Sequence, residues 1–111
     1  MKTGTFRRAE RQVDPVVEPF SFILYVAGNL PNSVQAVWNM KAICGEYFAG
    51  NYELEVVDVF TDPQRGLRDA ILAIPTLVKL KPDPKQIIMG NLSDYPLVLS
   101  SMGWTGPIKG Q

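Results

Sequence analysis

Cys44 is the one thiol in the chain, and it stands without the Cys-x-x-Cys partner that dithiol exchange requires. A lone thiol becomes a nucleophile only where a cation or a helix N-terminus stabilises its thiolate, and nothing beside Cys44 in the sequence does so. Spaced with Val37, Trp38 and Phe48 on a helical stretch, it reads as a packed core residue. Ser33 offers a hydroxyl that could orient a glutathione-like thiol. Its place just after Pro31 suits the capping of a helix start far better. Gly28-Asn29 lacks the glycine spacing and the following lysine of a phosphate loop. With one cysteine and no histidine, zinc sites of the Cys/His kind cannot be assembled. No catalytic residue, cofactor or metal is therefore expected, and a binding role is favoured over an enzymatic one.

The 111 residues support one domain with one core. Eleven basic residues balance eleven acidic ones, so no net field draws the chain to nucleic acid or anionic lipid. No apolar run approaches the roughly eighteen residues that cross a bilayer, and Met1 to Pro19 has no apolar core of a secretory leader. A cytoplasmic protein without membrane or nucleic-acid partners is expected. Residues 1–19, with Arg7, Arg8, Arg11, Glu10 and Glu18, read as a flexible arm, 20–103 as the folded domain and 104–111 as a loose tail.

The elements that must position any site follow from run length and punctuation. Phe20 to Val26 is a short apolar and aromatic run, fit for a central strand, ended by Ala27-Gly28-Asn29. Pro31 opens a helix, with Asn32 or Ser33 as the capping side chain, that carries Val34, Val37, Trp38, Ile43, Cys44, Tyr47 and Phe48 to a stop at Gly50-Asn51. Tyr52 to Phe60 is a second, β-branched strand, parallel to the first. Asp62-Pro63 starts a short helix through Leu67, Ala70 and Ile71 that must finish near Ala73, because Pro75 disfavours α geometry at Ile74. Pro75 to Leu80 and Lys85 to Met89 make a hairpin around Lys81-Pro82-Asp83-Pro84. Ser93 or Asp94 caps a last helix that Gly103 stops. The order is β-α-β-α-β-β-α, that of a thioredoxin-like α/β fold.

Read in order, Leu24 to Ser33, Val56-Val57-Asp58-Val59, Asp62-Pro63-Gln64, Ile71 to Leu77 and Gly90-Asn91-Leu92-Ser93 closely resemble the KaiB family of circadian clock proteins. The resemblance implies a small non-enzymatic protein that binds a KaiC-type RecA-like ATPase. The family is known for fold switching, between a tetrameric ground state of order β-α-β-β-α-α-β and a thioredoxin-like binding state. Local signals here agree with the second, and Gly103, Gly106 and Pro107 make a poor terminal strand for the first. A monomer resting in the thioredoxin-like fold, with weak or absent switching, is expected, with a tetramer expected if the ground state forms.

The resemblance places the docking surface around the second helix and the hairpin, with Arg65, Arg68, Asp69, Lys79, Lys81 and Lys85 as exposed candidates. It also implies a cis peptide bond before Pro75, facing the Gly28 to Ser33 loop. Gln35, Ala70, Gln86 and Ile87 stand where family members carry basic residues, which marks the chain as a divergent paralogue. The alternatives are a recognition module like the input domain of the clock kinase SasA, which is similar to KaiB in its thioredoxin-like form, and a redox or glutathione protein acting through Cys44 or Ser33.

Overall fold

The computed structural model describes residues 18–109. Its strands form one sheet in the order β2-β1-β3-β4. β1 (Phe20–Val26) lies parallel to β2 (Tyr52–Asp58) and antiparallel to β3 (Thr76–Lys81), which in turn pairs antiparallel with β4 (Gln86–Met89). The helices are α1 (Pro31–Ile43), running on into a π-type turn at Cys44–Phe48, α2 (Pro63–Arg68) and α3 (Tyr95–Ser101). This is the expected β-α-β-α-β-β-α order, and β2 and β4 begin or end within two residues of the expected limits.

Alternation along β1 divides the interior. Phe22, Leu24 and Val26 enter the main core with Ala36, Met40 and Ile43 of α1 and Val98 and Leu99 of α3. Ile23 and Tyr25 turn to the opposite face, where Val57 and Val78 join them under Ile71 and Ile74. Each fully buried aliphatic or aromatic side chain contributes about 1.5–3 kcal/mol, so the face holding α1 and α3 carries most of the stabilisation.

α1 is rolled relative to the expected core face. Ser33, Ala36, Met40 and Ile43 are buried, while Trp38 is 73% exposed and Val34 is at the surface. The small side chains of Ser33 and Ala36 let the helix lie close on β1. Leu30, with no side-chain cap, precedes Pro31 at the helix start. Ser33 does not cap the helix as expected, because its hydroxyl faces inward and accepts from the Ala27 N–H at 2.9 Å.

α2 ends five residues sooner than expected. Ala70 adopts a left-handed conformation (φ 57°), with its N–H on the Leu67 carbonyl and the Ile71 N–H on the Gly66 carbonyl. This is a Schellman stop with alanine where glycine is usual, so the sequence carries no punctuation there. α3 closes in the same way at Gly103 (φ 86°), whose position was legible. At its start Asp94 accepts from the Leu97 N–H at 3.2 Å. Asn39 of α1 donates to the Asn91 carbonyl and accepts from Tyr95, fixing the β4–α3 loop on α1.

The expected arm falls outside the described residues except for Glu18 and Pro19. Residues 104–109, expected as loose, are packed. Trp104 meets Phe48 and Tyr47 edge-on at 5.4 and 5.6 Å, Ile108 touches the core, and Lys109 pairs with Glu46 at 3.1 Å. The lack of strand character in Gly106 and Pro107 was read as looseness, whereas the indole supplies the anchor.

Replacing Ala70 with glycine removes the left-handed penalty, and Ala70→Gly is expected to raise stability by about 1 kcal/mol. Urea unfolding checks this through an increased midpoint at unchanged slope.

Candidate docking site

The loops after β1 and β2 are knotted by one carboxylate. Asp58 accepts from the Gly28 N–H at 3.0 Å and from the Phe60 N–H at 2.9 Å through the same oxygen. Gly28 has φ 53°, where a side chain is strained, and a Cβ on it would sit 2.8 Å from the Phe60 ring, which would have to move. Ser33 is buried beneath this knot. The Ile74–Pro75 bond is cis, Pro75 is buried, and its carbonyl accepts from the Gly90 N–H at 3.0 Å. Cys44 is buried within the main core, and desolvation pushes its thiol up to about 12. Neither the thiol nor the Ser33 hydroxyl reaches solvent.

The polar candidates lie on the other sheet face, at α2. Arg65 donates two parallel hydrogen bonds, at 2.8 and 2.9 Å, to the two oxygens of Glu55 on β2. The hydrogen bond, together with the charge, holds the Glu55 carboxyl below the usual carboxylate range. Arg65 is thereby occupied in fastening α2 to the sheet. Arg68 extends into solvent, its Nε 4.0 Å from Asp69. Asp69 in turn accepts from the hydroxyl of Tyr25. Asp69 and Lys85, from the start of β4, border a cleft of about 110 Å³ whose apolar lining comes from Ile23, Val78, Leu80 and Ile87, with Tyr25 among them.

Asp69 and Lys85 therefore share one cleft, with Arg68 beside Asp69 and Arg65 turned to Glu55. Lys81 points away, 4.0 Å from Asp83 in the hairpin turn. Lys79 is not exposed, contrary to expectation. It shares the core face with Leu77, is 2% exposed, donates to the Met102 carbonyl at 3.1 Å and lies 5.8 Å from the Phe20 ring centre. The negative end of α3 supplies the acceptor that makes its burial tolerable. Tyr25, Ile23 and Ile87 were absent from the expected set. A tyrosine inside a buried strand demands a hydrogen-bond partner, and that requirement was the available signal for the Tyr25–Asp69 pair. On the other flank of α2 a wider cleft, about 350 Å³, is lined by Val59, Phe60, Pro63, Gly66, Leu67, Ile71 and Ile74, with no side-chain polar group to orient a small ligand.

Residues 23–104 match the KaiB domain. The chain belongs to the KaiB family. It is 46% identical over 87 residues to the circadian clock oscillator protein KaiB of Trichodesmium erythraeum, covering 78% of this chain and 84% of that protein. With the protein of the same name from Microcystis aeruginosa it shares 53% identity over 76 residues, 68% of this chain and 73% of the relative. In structure, this KaiB-family chain resembles the N-terminal domain of Synechococcus elongatus SasA with a TM-score of 0.64 at 23% identity, covering 90% and 98% of the two chains. It also resembles Fasciola hepatica thioredoxin, with a TM-score of 0.64 at 16% identity over 79% and 83%. The thioredoxin-like fold expected from the turn and cap signals is thus shown, and the element order of the alternative ground state is not the one adopted.

Because burial favours the neutral thiol, Cys44 adds stability below the ordinary thiol pKa, and this contribution is lost as pH rises through that value towards 12. Native protein is expected to leave Ellman's reagent unreacted at pH 8 and to release one equivalent after denaturation. Rapid stoichiometric reaction of the folded chain would overturn the assignment of Cys44 to the core.

Proposed function

We propose that this chain is a non-enzymatic, cytoplasmic KaiB-type clock regulator that docks, as a monomer in its thioredoxin-like form, on a KaiC-type RecA-like ATPase ring. The observation that carries this reading is the cleft beside α2 that Asp69 and Lys85 border, with Arg68 4.0 Å from Asp69. Family membership and the burial of Cys44 and Ser33 support it from the other side, by leaving recognition rather than thiol chemistry as the use of the scaffold. Arg65 does not contact the partner in this scheme. It holds α2 in place through Glu55 and so sets the direction in which Arg68 projects.

An interface built on exposed charges is sensitive to salt, since ions screen such pairs over about 10 Å at 0.1 M. The test is light scattering and calorimetry of the full chain with a purified cyanobacterial KaiC ring. Expected are a monomer alone, a stoichiometric complex with the ring, and loss of affinity on the order of tenfold for Arg68→Glu or Lys85→Glu. Failure of the wild-type chain to bind at low salt, with the ring assembled and ATP present, would overturn the proposal.

A further inference from the structure

The small cleft on the α2 face has a chemistry that selects its occupant. Among the described residues, α1 and α3 cover one face of the sheet, and the other carries only the six residues of α2 and the segment after it. That cover reaches Tyr25, Val57 and Val78, and leaves Ile87 58% exposed at the far side of the cleft. At about 110 Å³ the space is well under the roughly 300 Å³ at which small-molecule sites begin, and is of the size to take one side chain. Its lining of isoleucine, leucine and valine favours an aliphatic one.

The rim sets the charge. Asp69 is the carboxylate at the cleft, and it is engaged by the Tyr25 hydroxyl on one oxygen and approached by Arg68 on the other. Arg68, which lies 4.0 Å from Asp69 and outside the lining, and Lys85, within it, set two cations against that carboxylate, a local excess of one positive charge in a chain that is neutral as a whole. We infer that this cleft receives a leucine-sized aliphatic side chain flanked by carboxylates, presented by an acidic surface segment of the ring-forming partner. The inference rests on the docking reading above and specifies the chemistry of its contact. The aliphatic side chain is buried against Ile23, Leu80 and Ile87, while the flanking carboxylates meet Lys85 and Arg68.

The probe is the acetylated, amidated peptide Glu-Asp-Leu-Asp-Glu, added at millimolar concentration to the isotope-labelled full chain and followed by amide chemical shifts. Expected are saturable shifts centred on Ile23, Tyr25, Leu80 and Ile87. Affinity should fall about tenfold when the peptide leucine is replaced by alanine, and shifts should be lost with Lys-Lys-Leu-Lys-Lys or in Lys85→Glu. Equal binding of the alanine or lysine peptide, shifts centred elsewhere, or no shifts overturns the inference. So does a concentration-dependent shift at these residues without peptide, which would mean a second copy of the chain fills the cleft. The two readings separate cleanly. Peptide binding without ring binding sinks the ATPase partner and keeps the cleft chemistry, whereas ring binding unaffected by Lys85→Glu and Ile87→Glu sinks the cleft and keeps the partner.

Discussion

β1 is hydrogen-bonded along both edges, and its two-residue alternation decides what every other element can do. Phe22, Leu24 and Val26 demand cover on one face, and α1 and α3 meet that demand. Ile23 and Tyr25 face the other way and, among the described residues, receive only α2 and the chain that follows it. A one-residue slip in β1 would exchange the faces and expose the core set, so the register is held strongly. The uneven cover that results is what leaves a cleft beside Lys85.

The polar groups that organise the domain are each used twice. Asp58 ties two loops with a single oxygen, and Asn39 and Asn91 join α1 to the chain before α3. Arg65 is spent on Glu55, which frees Arg68 as the outward cation of α2. A helix of six residues is too short to be stable by itself. Its position depends on that bidentate pair and on the packing of Ile71 and Ile74 after it, so the face that bears Arg68 takes its geometry from contacts within the domain.

Most of the fold was legible because its boundaries are written in local chemistry: Pro31, Asp62-Pro63, Asp94 and Gly103 act within a turn of where they stand. The misreadings came from partners distant in the chain. α1 has apolar residues on several sides, and only the closeness of β1 decides that Ala36 and Ser33, and not Trp38, face inward. The end of α2 was hidden because alanine holds a conformation that glycine usually marks. Arg68, Asp69 and Lys85 were named from the family resemblance, and the structure puts Asp69 and Lys85 on one cleft with Arg68 beside Asp69, while Tyr25, Ile23 and Ile87 were not named because a strand residue's face is known only once its neighbours are.

Lys79 shows the same limit in its sharpest form. Strand alternation places it with Leu77 on the core side, but charge argues for the surface, and desolvating an unpaired ammonium costs several kcal/mol. The structure resolves the conflict with a group 23 residues away: the Met102 carbonyl at the end of α3 accepts from Nζ. Gly103 sits beside that contact with φ 86°, and a Cβ there would lie 4.0 Å from Nζ, an ordinary contact distance, so the backbone conformation and not the lysine calls for glycine. Trp104 follows at once and packs on Phe48, so the helix end, the buried lysine and the terminal segment form one unit. The end of α3 and the segment after it, through residue 109, are thus fastened to the sheet from inside the core.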